Sequence, residues 1–192
     1  MLNIPLLQKN TVAVDENVTM LANRYTLSDE NGCLLGQIRE SRSVWRFIVQ
    51  RSFAPFTLTC FDAEDRPVAT MRKGWALLRP RYSIVDADGK LIASIRSRIT
   101  LIRPKADIFY PDGRLMGSME GDWVAWNFFV TAPDGKVLAQ INKRFNGLVK
   151  EIFTTADKYV VAIPDEVCDP DQRMAILFTA CAIDMVLKES NN

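Results

Sequence analysis

The chain has 192 residues, 48% hydrophobic and 24% charged, with 24 basic against 23 acidic residues and a formal net charge of +1. That length suits one sizeable core, and the composition is that of a globular domain, which argues against two domains and against wholesale disorder. There is no histidine, which removes the usual Ser-His-Asp and Cys-His nucleophile pairs and every His-ligated zinc or iron site.

Residues 1–20 carry no clear period and are read as a leading segment with one strand at most. MLNIPLLQKN shows no basic leader and no signal-length apolar run, so secretion is not expected. From Tyr25 onward a unit recurs: NGCLLGQI at Asn31, EDRPVATM at Glu64, DGKLIASI at Asp88, DGRLMGSM at Asp112 and DGKVLAQI at Asp134, with a sixth, weaker turn at Asp157-Lys158 before YVVAI. Asn-Gly and Asp-Gly between apolar runs signal hairpins with type I′ turns, whose two central residues need positive φ. Six hairpins predict about twelve strands. Asp86-Ala87-Asp88-Gly89 begins like a calcium loop, but the later ligands of that motif are missing and the segment is one of the hairpin repeats.

Aligned on their turns, the five strong copies place Leu34, Pro67, Leu91, Leu115 and Val137 in one column, Gly36, Ala69, Ala93, Gly117 and Ala139 two places on, and Ile38, Met71, Ile95, Met119 and Ile141 two places further. Strict alternation puts these three columns on the inner face and Gln37, Thr70, Ser94, Ser118 and Gln140 outside. A column of Gly and Ala inside the sheet has two readings: relief of crowding where strands bend, or room for a bulky occupant. The occupant is available in Met174 to Leu187, MAILFTACAIDMVL, which is apolar on every side of a helix because Thr179 and Asp184 point in different directions. Asp169 can cap it, Pro170 suits the first helical position, and Gln172 stands at the return position of a capping box. Lys188 is placed to pair with Asp184. Fourteen apolar-run residues with an aspartate near the end are short of the roughly 20 that a membrane span needs. The expectation is one domain over 1–192: a mainly β, closed antiparallel barrel of about twelve strands around a central apolar C-terminal helix, 169–188.

The segment NKRFNGLVKEIFTTADKYVVAIP from Asn142, the acidic linker after it, the apolar run with Ile183-Asp184, and Glu189 resemble the phospholipid scramblases and the LURP-one-related proteins, which share the tubby C-terminal-like fold. The repeated D-G-[KR] units are similar to those of family members, and the likeness covers most of Tyr25 to Glu189. It implies a non-enzymatic module and the same barrel. Eukaryotic scramblases carry a Pro-rich arm and a palmitoylated cysteine run, and this chain has neither. The family's acidic calcium segment corresponds here to Asp157, Asp165 and Glu166, with Lys158 among them, an incomplete set for an ion that takes six to eight oxygens.

The middle of the chain is basic. Arg39 to Lys105 holds fourteen Lys/Arg against six Asp/Glu, whereas Ala106 to Asn192 holds eight against thirteen. Arg72, Lys73, Arg79, Arg81, Arg96 and Arg98 are the candidate headgroup ligands, because tubby-like domains bind phosphoinositides through basic residues and guanidinium matches phosphate with a planar fork. The aromatics, among them Trp45, Trp75, Trp123 and Trp126, are read as core or barrel-end plugs. No paired carboxylates, phosphate loop or nucleophile elbow is present, so no catalytic residue is assigned. The four cysteines show no C-x-x-C pairing and are expected reduced, in a cytoplasmic setting. The predicted function is binding of anionic phospholipid, or of a protein partner, through the barrel exterior, by a monomer with peripheral contact at the inner membrane face and no nucleic acid. The alternative is an inserted phospholipid scramblase with the C-terminal segment as a span.

Overall fold

Twelve antiparallel strands close into one barrel in sequence order, and β1 meets β12 at the seam. The computed structural model describes residues 4–19, 22–41, 55–75, 81–98, 105–122, 125–143 and 158–190. The strands are β1 (Thr11–Thr19), β2 (Ala22–Ser28), β3 (Leu34–Glu40), β4 (Phe56–Asp62), β5 (Pro67–Lys73), β6 (Arg81–Asp86), β7 (Leu91–Arg98), β8 (Lys105–Phe109), β9 (Leu115–Asp122), β10 (Asn127–Thr131), β11 (Val137–Asn142) and β12 (Lys158–Ala162). A 3-10 turn at Pro5–Leu7 precedes them and the helix α1 (Pro170–Ser190) follows. The expected strand number and the helix are therefore present.

The turns differ from expectation in kind. In all five strong repeats a backbone N–H three residues on bonds to the carbonyl of the first turn residue, as Gly32 N to Asp29 O at 3.0 Å, and the first residue then pairs with the fifth, as Asp29 N with Cys33 O at 3.0 Å. Only the fourth residue has positive φ: Gly32, Gly89, Gly113 and Gly135 at +79° to +88°, and Asp65 at 65°. This is a type I turn closed by a single left-handed residue, a three-residue loop, rather than the two-residue type I′ turn. The sixth expected turn is not one of this set. Asp157 lies outside the described residues, Lys158 opens β12, and the β11–β12 connection falls at the opposite end of the barrel from the five hairpins. Five hairpins supply β2 to β11, and β1 with β12 completes the dozen.

Strict alternation fails next to each turn. Gly36 faces Leu27 and Leu34 faces Ser28, so Leu35 is an extra residue on β3. The same slip leaves Val68, Ile92, Met116 and Leu138 extra on their strands. Such a bulge turns two successive side chains to one side. Leu35, Val68, Ile92, Met116 and Leu138 are consequently buried, and Leu34, Leu91, Leu115 and Val137, expected inside, are exposed. Beyond the bulge the alternation resumes as expected, with Ile38, Met71, Ile95, Met119 and Ile141 at most 1% exposed.

Helix α1 fills the barrel. All residues from Met174 to Met185 are buried, including Thr179 and Asp184. Thr179 Oγ1 satisfies itself on the Ala175 carbonyl at 2.7 Å, Tyr159 OH donates to Cys181 Sγ at 3.5 Å, and Tyr25 OH donates to Asp184 Oδ2 at 3.4 Å. Strand β7 runs close beside the helix backbone. The glycines of the small column answer to a different neighbour. A Cβ at Gly36 would stand 2.3 Å from the Phe61 carbonyl oxygen, and one at Gly117 3.0 Å from the Thr131 carbonyl oxygen, both on adjacent strands. Crowding at the bulge, not the helix, excludes a side chain there. At the helix start Asp169 Oδ1 accepts the Asp171 N–H at 3.0 Å, as a cap should, while Gln172 reaches Tyr110 OH at 3.5 Å instead of returning to the cap. The Lys188 side chain lies outside the described residues.

The helix start is tied down by Arg173, which is 4% exposed. Its guanidinium donates to the carbonyls of Val167, Lys9 and Pro164 and to Asn10 Oδ1, joining the helix to both flanks of the barrel seam. Among the described residues no helix is long and apolar enough to cross a membrane.

Candidate functional site

Five of the six bases predicted as headgroup ligands fall on strands β5 to β7, where register decides which of them meet. Arg72 faces Ser83, Arg81 faces Arg96, Arg96 faces Asp107, and Arg98 faces Lys105. Residues directly opposite in an antiparallel pair share a face with Cβ atoms about 5 Å apart. Arg72, Arg81 and Arg96 are all exposed on the outer face. Arg81 and Arg96 form a like-charged cross-strand pair, an arrangement that costs stability unless an anion lies between. The Arg96 guanidinium lies over the Phe109 ring, its Cζ 4.4 Å from the ring centroid. Below them Ser83 and Ser94 face each other, adding hydroxyls to the same surface.

Lys73 does not belong to this group. The step from Arg72 to Lys73 is one residue along a strand, so the two side chains point to opposite faces. Lys73 is 4% exposed, with Nζ 5.4 Å from the Phe56 ring centroid, inside the barrel mouth where Phe56 and Tyr82 approach at 6.0 Å. Arg79 lies outside the described residues, as does the side chain of Arg98. Lys105 extends the outer patch but pairs with Glu120 at 2.7 Å, and Asp107 beside Arg96 accepts the Ser118 hydroxyl at 2.8 Å. The basic surface is therefore bounded on its β8–β9 side by carboxylates. Register was not readable from the residues alone, and without it the Arg81–Arg96 pairing, the Ser83–Ser94 step and the Phe109 platform had no signal.

Of the candidate calcium residues, Asp157 lies outside the described residues. Asp165 and Glu166 are exposed in the turn after β12, whereas Asp157 belongs before that strand begins. Asp165 accepts the side-chain amide of Asn10, and among the described residues no group of three acidic or thiol side chains could hold a metal ion. The two described carboxylates alone fall short of calcium's six to eight oxygens.

Other titratable groups serve the fold. Burial pushes the Asp62 carboxyl up, but the Arg66 N–H and guanidinium, with the Glu64 N–H, outweigh it and hold the group below its ordinary range. Asp29 behaves alike, with Lys9 at 3.0 Å and the N–H groups of Cys33 and Asn31. Asp29, Asp62 and Asp86 each accept two backbone N–H bonds across their turns. All four cysteines are free; Cys33 and Cys168 are exposed, and burial drives the Cys60 thiol up to about 12 and Cys181 higher still. A cleft of about 360 Å³ beside the helix start holds Asp86, Asp88, Asp171 and Lys90 over an apolar floor, and a groove of about 570 Å³ outside β9–β10 holds Glu120, Asp122 and Phe129. Both are predominantly acidic, which disfavours phosphate.

The fold and the match to known families converge. A protein of Arabidopsis thaliana solved by X-ray crystallography superposes over 100% of this chain and 99% of its own, with a TM-score of 0.55 and 13% identity, a likeness of fold alone. No curated protein matches the chain. The scramblase family model matches residues 16–190, which takes in the barrel from the second half of β1 through the last turn of its central helix, and the chain belongs to the scramblase family.

Proposed function

We propose that this scramblase-family barrel is a non-enzymatic module that binds anionic phospholipid headgroups on the outer face of β5 to β7. The observation that carries the reading is the placement of Arg72, Arg81 and Arg96 on adjacent strands of one exposed face, with Arg81 directly opposite Arg96. Nothing in the fold requires that like-charged pair, and a phosphate between two guanidinium forks would relieve it. The central position of α1 speaks against the inserted alternative: as a span it would have to leave the barrel and carry the buried Asp184 into lipid, at about 2.5 to 3.5 kcal/mol for the carboxylate alone.

Vesicle flotation tests the reading. The wild type should float at low ionic strength with vesicles containing phosphatidylserine and a phosphoinositide, not with neutral phosphatidylcholine, and salt should weaken binding. Each basic residue near an anionic surface contributes about 1 kcal/mol, so Arg81→Glu with Arg96→Glu should lower affinity at least roughly thirtyfold. Equal flotation of the double variant would refute the assignment of these two residues.

A further inference from the structure

The outer face of β5 to β7 carries hydrogen-bond donors that the fold itself leaves unused. Ser83 and Ser94 face each other across β6 and β7, and one step along the same strands Arg81 faces Arg96. Arg72 faces Ser83 from β5, so guanidinium side chains border the two hydroxyls on more than one side. These side chains share one side of the sheet, the arginines exposed and the serines half-buried. Among the described residues none of the three arginines forms an ion pair, and neither serine hydroxyl makes a hydrogen bond. Pairing is common elsewhere on this surface: Lys9, Arg39, Arg66, Lys105, Arg114 and Lys158 each hold a carboxylate. The carboxylate opposite Arg96, Asp107, is 6% exposed and accepts the Ser118 hydroxyl at 2.8 Å.

Hydroxyl and guanidinium together specify more than negative charge. The phosphodiester of phosphatidylserine has two unesterified oxygens and a single negative charge, whereas a phosphomonoester has three such oxygens and a charge of about −1.5 to −2 near neutral pH. Guanidinium forks take phosphate oxygens in bidentate fashion. A serine side chain is much shorter than an arginine, so the Ser83 and Ser94 hydroxyls form the floor of the patch and the guanidinium groups its rim. Only a group that descends between the arginines reaches that floor. A terminal phosphate, tethered through one oxygen, can point an oxygen down to the serines; a diester, with substituents on two sides, is held at the rim.

We infer that this face selects a phosphomonoester headgroup of a membrane lipid, of the phosphatidic acid class, over the phosphodiester of phosphatidylserine, and that Ser83 and Ser94 set the preference. The inference rests on the lipid-binding reading and names the headgroup class of that same site. Arginines alone would rank vesicles by their surface potential and not by the esterification of the phosphate.

Flotation at low ionic strength tests this with phosphatidylcholine vesicles that carry either phosphatidic acid or phosphatidylserine, the latter raised until the two preparations have the same electrophoretic mobility. The wild type should bind the phosphatidic acid vesicles about tenfold more tightly. Ser83→Ala with Ser94→Ala should bring the affinity for phosphatidic acid down to that for phosphatidylserine. Ser83→Thr with Ser94→Thr, which keeps both hydroxyls on side chains suited to strands, should retain the margin. Persistence of the margin in the alanine variant, or its loss in the threonine variant, would overturn the role of the hydroxyls. Equal binding of the wild type to both preparations would overturn the selectivity and leave lipid binding standing. Release from the vesicles by glycerol 3-phosphate, at a concentration no higher than that of the accessible phosphatidic acid, would overturn the lipid source in favour of a soluble phosphomonoester. Absence of flotation with either lipid would overturn the inference and the lipid-binding reading together.

Discussion

Gly36→Ala tests why the small-residue column exists. The added Cβ would lie 2.3 Å from the Phe61 carbonyl oxygen, 3.3 Å from its carbon and 3.4 Å from Asp62 Cα, all backbone of the neighbouring strand. No side chain can rotate away, so β3 and β4 must separate by about an ångström next to the bulge. Overpacking of this kind costs about 1–3 kcal/mol, and 2 kcal/mol should lower Tm by about 4–8 °C in a domain of this size. Gly117→Ala, whose Cβ would meet Thr131 O at 3.0 Å and the movable Leu138 Cδ1 at 3.1 Å, should cost less. Urea unfolding of both variants gives the magnitudes. The decisive step is to repeat Gly36→Ala in a chain whose helix has been thinned by Phe178→Ala, a fully buried position. If the neighbouring strand is the obstacle, the two costs add within about 0.5 kcal/mol. A markedly smaller cost for Gly36→Ala in the thinned chain would show that the helix enforces the glycine, and would refute the reasoning.

Four further outcomes follow from the same geometry. Gly89→Ala has open space around its Cβ but φ of +82°, so it should lose about 1–2 kcal/mol by denaturant titration through backbone strain alone. Asp62→Asn should cost about 1–2 kcal/mol at neutral pH, because the carboxylate accepts two backbone N–H groups and the Arg66 guanidinium. The Asp62 group titrates below its ordinary 3.8 when folded, so its stabilisation is full above about pH 4 and lost as pH falls through the folded value. The gap between variant and wild type should therefore narrow from pH 4 downward, and a gap independent of pH would count against the assignment. Arg173→Lys replaces a four-bond fork by a point charge and should cost about 2–3 kcal/mol in thermal unfolding. Removal of residues 174–190 takes out six large buried side chains, Met174, Ile176, Leu177, Phe178, Ile183 and Met185. At about 1.5–3 kcal/mol each they match a domain's whole stability of 5–15 kcal/mol, so near-ultraviolet circular dichroism should show no fixed tertiary packing.

The elements legible in the residues were those fixed by local chemistry. Repeated turns, their spacing and a helix apolar on all sides point to a filled barrel, and the structure has one. What local pattern could not show was register. The bulged residue after each turn shifts parity by one, so Leu34 and Leu35 exchange faces relative to strict alternation, and nothing within the strand announces it. The same limit applied to the site. Arg72 and Lys73 look alike as a basic pair, yet their one-residue offset sends Lys73 into the barrel. Asp157-Lys158 resembled the hairpin turns in spacing, but a connection at the opposite end sits between β11 and β12. The first aspartate of three of the turns, Asp29, Asp62 or Asp86, caps its own turn, and D-x-x-[GD] carries that signal beside the Asp-Gly pair.

That last point bears on where function can reside. The acids of the hairpin end have local employment: Asp29, Asp62 and Asp86 accept two turn amides each, and Asp112 and Asp134 accept one. Turn chemistry alone calls for carboxylates there, whatever the protein binds. Arg81 and Arg96 oppose one another directly across β6 and β7, with a carboxylate, Asp107, only on the far side of Arg96. A feature that folding demands carries little information about function, and one that folding would discourage carries more. By that measure the information lies in the like-charged pair. Introducing Glu at Ser94, next to Ser83 and two residues from Arg96, should therefore raise stability by about 0.2–1 kcal/mol through a diagonal ion pair while weakening binding to anionic vesicles. Loss of stability together with unchanged flotation would show that Arg81 and Arg96 are neither strained nor engaged, and the argument from the pair would fail.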